Sequence, residues 1–396
     1  MTERGQEHGV HDLLQGMARP TFLDLFSGAG GLSLGLSRAG WVPLLAADLW
    51  PDAVRTYRRN FTDHQSVNED IRDLSATRLA ALLRDRPTWV VGGPPCQGFS
   101  TVGKRQREDP RNQLVREFRR VVRDIEPEGF VIENVLGLKD MRFQDTVAEL
   151  FEDLGYTVSF HVVRAADFGV PQLRRRVVFV GHRDQGYLHA PTPSHTESDY
   201  LTVWDAIGDL PPLGPGQTAT HYDRPPLTNY QHLMREGSGS LQGHTVSNHP
   251  PHLVEAISFI PDGGNRRSIP PSHQPKSGFH NSYSRLSSKH PAVAVTSNLG
   301  KPSATRCIHP FQHRGLSTRE GARLQSFPDR FHFEAGVTSQ RLQVANAVPP
   351  LLGRALGTWL EDPRSWGAAP ASVQQQLALD GGCPDRRGTS AAIPVG

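Results

Sequence analysis

Long apolar runs are missing from this 396-residue sequence. No stretch of about 18 apolar residues occurs, so no membrane-spanning helix is expected. Cysteine is scarce: Cys96, Cys307 and Cys383 are too few and too scattered for a disulfide framework. That excludes the disulfide-stapled secreted class and fits a reducing cytoplasm. An excess of one charge is lacking too. Lys+Arg 43 against Asp+Glu 40 leaves a formal +3, so any basic surface must come from local clustering. The polar first 18 residues carry Glu3, Glu7 and Asp12 and no apolar core, which argues against a signal peptide. A soluble, cytoplasmic chain with no internal repeat is the expectation.

The length suffices to bury a sizeable core and to split into two domains. Short apolar runs at 22–26, 43–47, 89–91, 130–132 and 177–180 read as strands. Helical patterns fall between them: from Gly30 to Gly40, over 52–60, from an N-cap at Ser75, over 112–125, and over 143–154 up to Gly155. Such alternation predicts an α/β fold with a doubly wound, mostly parallel sheet. From about residue 190 to 310 the chain turns rich in Pro, Gly, Ser and His, with four Pro-Pro pairs that break any long element. Tyr222, Tyr230, Phe259, Phe279, Tyr283 and Phe311 supply anchors there, so a second, smaller, loop-rich domain is expected rather than disorder. Helical periodicity returns around 342–360. The boundaries follow: flexible tails at 1–18 and 362–396, a catalytic domain over 19–194 plus 334–361, and the loop-rich domain over 195–333.

The chemistry-bearing residues sit where strands end, the edge at which open α/β sheets hold ligands. Asp24-Leu25-Phe26-Ser27-Gly28-Ala29-Gly30-Gly31 joins the first strand to the first helix. Its glycines permit a tight turn and close approach of a nucleotide, but Ser33 stands where a dinucleotide fingerprint has its third glycine. Asp48 ends the second strand at the distance where an acid meets ribose hydroxyls, and Asp70-Ile71 offers a carboxylate and an apolar wall to an adenine. Together these suggest an adenosine-bearing cofactor. Past the strand at 89–91, Gly92-Gly93-Pro94-Pro95-Cys96-Gln97-Gly98-Phe99-Ser100 places one thiol on a rigid turn. A lone cysteine is ordinarily a small buried hydrophobe, yet these surroundings suit a nucleophile. Glu133, emerging from an apolar strand, is the nearest candidate carboxylate. Arg174 and Arg176 share one face of an extended segment and Arg175 takes the other, which suits anion or base-edge contact. Cys307, His309 and His313 lack a fourth ligand at suitable spacing, so no metal site is expected.

These residues resemble the DNA (cytosine-5)-methyltransferases of bacterial restriction–modification systems. The resemblance runs in order along nearly the whole chain. It adds to the motifs above Asp109-Pro110-Arg111-Asn112-Gln113-Leu114, Glu133-Asn134-Val135 and Gln172-x-Arg174-x-Arg176. Further on come the run from Arg319 to Asp329 and Gln343-Val344-Ala345-Asn346-Ala347-Val348-Pro349-Pro350. The tails and much of 185–280 stay unmatched.

The resemblance implies the S-adenosylmethionine-dependent methyltransferase fold, S-adenosyl-L-methionine as cofactor and double-stranded DNA as substrate. Cys96 would add to C6 of a flipped-out cytosine, so that C5 can attack the cofactor's methyl group. Glu133 would bond to N3, and Arg176, supported by Arg174, to the O2 edge; no residue identifies itself as the base that removes the C5 proton. Phe26 would lie near the adenine, Asp48 on the ribose and Asp70 and Ile71 beside the adenine. Gly28, Gly30, Pro95, Leu114 and Asn346 would complete the pocket. Asp48 stands where the family often has Glu, and Leu49 where an aromatic often follows. The segment 100–111, with Gly103, Lys104, Arg105 and Arg107, would be a mobile loop closing over DNA. The loop-rich domain would read bases, with Tyr283-Ser284-Arg285-Leu286 and Arg314 similar to the return segment into the catalytic domain. A monomer, functionally paired with a restriction endonuclease without a stable complex, is expected. Three alternatives stay open: methylation of cytosine in tRNA, a nicotinamide oxidoreductase on a similar fold, and a DNA-binding protein without catalysis.

Overall fold

The computed structural model describes residues 19–95, 112–135, 147, 149–276, 282–304 and 306–368. Cys96 and the expected closing loop at 100–111 therefore lie outside the described residues, as do 1–18 and 369–396. Strand and helix alternate through the first half. β1 (Thr21–Leu25) leads to α1 (Gly31–Arg38), β2 (Val42–Asp48) to α2 (Pro51–Asn60), and β3 (Gln65–Asn68) to α3 (Ala76–Leu82). β4 (Trp89–Gly92), α4 (Asn112–Ile125), β5 (Gly129–Val135), β6 (Thr157–Arg164) and β7 (Arg175–His182) follow. They form one 7-stranded sheet in the order β3-β2-β1-β4-β5-β7-β6. Pairing from β3 to β5 is parallel, whereas β7 runs antiparallel to both β5 and β6.

The apolar runs form central strands because both sheet faces are covered. On one face Leu23, Leu25, Val90, Phe130 and Phe179 pack with Phe118 of α4 and with Phe151. On the other, Phe22, Val91, Val131 and Val180 pack with Leu32 and Leu36 of α1 and with Leu352, Leu356 and Trp359 near the chain's end. This is the expected doubly wound architecture. Two strands escape the sequence pattern. β3 reads Gln-Ser-Val-Asn at the sheet edge, where little is buried. β6 carries the buried polar residues Ser159 and His161, whose groups bond the backbone of Leu188 on the next short strand.

After β8 (Tyr187–Leu188) the helices are short: α5 (Val203–Ile207), α6 (Asn229–Arg235), α7 (Pro251–Ser258) and α8 (Thr318–Leu324). The connecting chain is loop, as its prolines and glycines predict. One apolar cluster of this region takes in Ala29 and Val344, so it is continuous with the part of the chain that carries the sheet. Buried ion pairs support it: Arg323 bonds both Asp209 and Asp329, and Arg314 bonds Glu320. α9 (Val337–Asn346) and α10 (Pro350–Glu361) then return to the sheet, and α10 covers α1. Residues 362–368 fall in the expected tail, and here β9 (Trp366–Gly367) pairs with β8. Among the described residues no helix is long and apolar enough to cross a membrane.

Candidate active site

The turn after β1 is built from unusual backbone. Phe26 adopts φ 58°, Gly28 φ 54° and Gly30 φ 94°. A left-handed aromatic residue is costly and persists only where its surroundings hold it, often at a site of function. The turn is fixed from β2: Gly28 N–H donates to Asp48 Oδ2 at 2.7 Å, and Trp50 N–H to Asp48 Oδ1 at 2.7 Å. Gly31 must lack a side chain, because a Cβ there would lie 2.2 Å from the carbonyl oxygen of Val348. The glycine turn thus brings the chain after α9 against the start of α1, beside a cleft.

That cleft is a cavity of about 720 Å³ at the carboxyl edge of the parallel strands. It collects Phe26, Gly28, Asp48, Asp70, Ile71, Pro95, Leu114 and Asn346, residues drawn from six separate stretches of sequence, together with Glu133, Arg174 and Arg176. Gly30 is not on its wall. A Cβ at Gly30 would meet Phe61 at 2.5 Å, so this residue shapes the turn from behind. Cys96 follows directly on Pro95, which lines the cavity, but lies outside the described residues.

Each acid on the wall has a distinct environment. Burial raises the Asp48 carboxyl, while the Trp50 and Gly28 amides oppose the rise. The ion pair with Arg72 (Nε to Oδ1, 3.0 Å) holds Asp70 below the usual carboxylate range, and Asp70 also caps the short 3₁₀ turn Ile71–Asp73. Asp24, which sequence reasoning treated only as part of the glycine motif, lines the cavity as well. It is 1% exposed, and burial pushes it up to about 7, against the lowering effect of a 2.5 Å hydrogen bond from Ser33. A charged residue inside the apolar run Phe22–Leu25 was the available signal.

The reversed strand β7 assembles the opposite wall. Because β7 is antiparallel, its first residues reach the same edge as the end of β5, and Arg176 sits opposite Val135. Glu133 lies two residues back on the same face, a diagonal neighbour of Arg176. Arg176 Nε lies 2.7 Å from Glu133 Oε1. Among the described residues no N–H is aligned for a hydrogen bond to that oxygen, so it keeps accepting capacity for a ligand. Arg174 and Arg176 are buried and Arg175 is exposed, as the alternation predicts. Burial, then the neighbouring Arg176, lowers Arg174 to about 9; its Nη2 donates to the Ala345 carbonyl at 3.0 Å. Asn134 donates to the Pro94 carbonyl at 3.1 Å and ties the Pro-Pro turn to β5.

The cysteine and histidines of the second region have other work. Cys307 Sγ donates to the Lys301 carbonyl at 2.6 Å, and burial pushes the thiol up to about 12. His309 Nδ1 accepts from the amides of Phe311 and Gln312. Arg285 is buried against the carbonyls of Ile257, Ile260, His309 and Gln312, and bonds His313.

Comparison with known proteins places this arrangement. The family model for C-5 cytosine-specific DNA methylase matches residues 20–361. The chain is 45% identical over 343 residues to the type II methyltransferase M1.HphI of Haemophilus parahaemolyticus, covering 85% of each chain. It is 37% identical over 362 residues to the type II methyltransferase M.DdeI of Desulfomicrobium norvegicum, covering 84% of this chain and 86% of that one. Among solved structures, a prophage-encoded Escherichia coli protein assigned as a DNA modification methyltransferase superposes with a TM-score of 0.72 at 25% identity. That match covers 87% of this chain and 99% of the other.

Proposed function

The chain belongs to the C-5 cytosine-specific DNA methylase family, and from that premise we propose how its residues divide the work. The proposed reaction is transfer of a methyl group from S-adenosyl-L-methionine to C5 of a flipped-out cytosine in duplex DNA. Host protection in a restriction–modification system, beside a separately acting endonuclease, is the proposed setting. The cavity fits the cofactor: hydroxyl-accepting Asp48, the Asp70-Ile71 pair and apolar Phe26 and Leu114 suit an adenosine, and the buried Asp24 carboxylate suits a cationic ligand. When bound, S-adenosyl-L-methionine supplies an electrophilic methyl group.

The protein's part is to make a poor nucleophile react. The Cys96 thiolate adds to C6 of the cytosine, which turns C5 into an enamine-like carbon. Glu133 bonds at N3 of the ring and stabilises the adduct, while Arg176 holds the O2 edge. Arg174, tied to the Ala345 carbonyl, keeps Arg176 and the end of α9 in place. After C5 has taken the methyl group, loss of its proton expels the thiolate and restores the ring. The base must leave the duplex to reach such a recess.

One observation carries this reading. The glycine turn, both strand-end acids, Glu133 and the arginine pair line a single cavity at the strand edge, together with Pro95, the residue that precedes Cys96 in the sequence. The test is methyl transfer to duplex DNA and to tRNA, with methylated cytosines located by sequencing. Duplex transfer is expected, lost in Cys96→Ser while DNA binding survives. Loss of binding together with activity would make Cys96 structural, and preference for tRNA would replace the substrate.

A further inference from the structure

A chain of hydrogen bonds leaves the cavity through the back of the glycine turn. Ser33 Oγ donates to Asp24 Oδ2 at 2.5 Å, and Tyr57 Oη donates to Ser33 Oγ at 2.8 Å. Tyr57 Oη also lies 2.8 Å from His64 Nε2, and His64 Nδ1 lies 2.8 Å from Asp63 Oδ1. Asp24, Ser33 and Tyr57 are at most 1% exposed. The His64 ring is 3% exposed and Asp63 is 75% exposed, so the chain runs from the cavity wall to solvent. Phe61 stacks on Tyr57 at 4.3 Å and meets His64 edge-on, which seals the path from the side.

Counting protons fixes its direction. Ser33 has one hydroxyl proton and gives it to Asp24, so its oxygen accepts from Tyr57. Tyr57 has then spent its only proton and must accept from His64, which requires an Nε2–H. Asp63 as a carboxylate only accepts, which requires an Nδ1–H as well. With Asp24 ionised, every link is made at once only when both ring nitrogens of His64 carry a proton; with Asp24 protonated the chain can run the other way and end on His64 Nε2 as acceptor.

We propose that Asp24, Ser33, Tyr57 and His64 form a positioning relay in which His64 orients the donors that hold the Asp24 carboxylate, and thereby sets the affinity of the cavity for its cationic cofactor. The proposal rests on the reading of S-adenosyl-L-methionine, a sulfonium, as the ligand. The charged and titratable neighbours are few. Asp48 on β2 faces Asp24 and raises it further after burial, while Ser33 lowers it. Tyr57, faced by Asp24 and Asp63, is held well above its ordinary value by burial and so remains a donor. Asp63 and Tyr57 face His64.

The test is the affinity of the full-length protein for S-adenosyl-L-methionine, measured calorimetrically from pH 5.5 to 9. Wild-type affinity is expected to rise as Asp24, which burial holds at about 7, ionises. His64→Gln keeps an amide donor for Tyr57 but loses the ring that also bonds Asp63, so its affinity should fall below wild type across the whole range. Tyr57→Phe severs the relay and should weaken binding about tenfold. In that background, adding His64→Gln should change nothing further. Wild-type binding with a superimposable His64→Gln profile, or with additive effects of the two substitutions, overturns the relay alone. No wild-type binding at any pH overturns the cofactor reading and takes the relay with it.

Discussion

Arg176 Nε stands 2.7 Å from Glu133 Oε1, with both side chains nearly buried at 11% and 10% exposure. The pair exists because β7 enters the sheet against the direction of its neighbours, so two residues 43 positions apart (176 − 133) end at one edge. An ion pair in this setting is chiefly a matter of orientation, since desolvation offsets much of its attraction. Arg176→Ala is expected to abolish measurable transfer and to cost about 3 kcal/mol of stability, because it strands a nearly buried carboxylate. Glu133→Gln keeps the shape without the charge. Its transfer should fall at least about 100-fold, the lower bound for a positioned proton-handling group. Glu133→Gln added to Arg176→Ala should recover part of the lost stability, and a double-mutant cycle by urea denaturation measures that coupling.

Asp48 spends one carboxylate oxygen on Gly28 N–H and the other on Trp50 N–H. In Asp48→Asn one amide faces an NH₂ group instead of an acceptor, so the glycine turn loosens. Stability should drop by about 1–3 kcal/mol, the cost of an unsatisfied donor. Affinity for S-adenosyl-L-methionine should fall about tenfold or more, or ~1.4 kcal/mol. Thermal melts with and without the cofactor check both effects: the substitution should shrink the cofactor-induced rise in Tm as well as lower Tm itself.

The wall of the cavity was legible in the sequence because its parts are local. Strand-end acids, a glycine turn and a Gly-Pro-Pro corner each carry their own short signature, and topology then brings them together. What stayed hidden depends on distant partners. The acceptor of Arg174 is the Ala345 carbonyl, 171 residues away. The relay behind the turn joins Ser33 to Tyr57 and His64, which in sequence are an ordinary helix serine, an apolar-face tyrosine and a loop histidine. β3 was invisible because an edge strand needs no apolar alternation, and β6 because its polar residues are satisfied by a neighbouring backbone. The reversal of β7 has no local signature at all; only the pairing of Arg176 with Val135 reveals it.

Arg323 has no exposed atom of consequence, and it bridges two buried carboxylates. It reaches Asp209 at 2.5 Å and Asp329 at 2.9 and 2.6 Å. Removing it strips each buried carboxylate of its shared cation and leaves Asp209 to Arg235 and Asp329 to Tyr222 and the more distant Arg319. Arg323→Met should therefore destabilise the protein by about 3–5 kcal/mol, and Arg323→Lys should rescue little because a single ammonium cannot reproduce the fork. Chemical denaturation followed by intrinsic tryptophan fluorescence, to which Trp204 of this region contributes, provides the measurement.

Acid should weaken the second region before it protonates most carboxylates. Burial lowers His309 from 6.5 to about 3, although Glu320 pulls it the other way, and burial lowers His244 as well. The His309 ring is used as a base in the folded state: its Nδ1 accepts two amides, and protonating it would break both bonds. In the unfolded chain His309 takes up a proton near 6.5, whereas folded His309 does not until about 3. Between these values the unfolded state binds more protons, so stability rises with pH across this window and is lost as pH falls through it. The slope is up to about 1.4 kcal/mol per pH unit for one such histidine. Glu320 acts further down: burial alone would raise it, but the buried Arg314 outweighs that and holds it below its ordinary 4.5. Its contribution is present above 4.5 and fades below as the unfolded chain protonates first. Urea denaturation at pH 7.5, 6 and 5 should show falling stability. His309→Gln, which accepts through its amide oxygen and cannot titrate, should flatten that fall by about one proton's slope. An unchanged slope in His309→Gln would show that the acid sensitivity arises elsewhere.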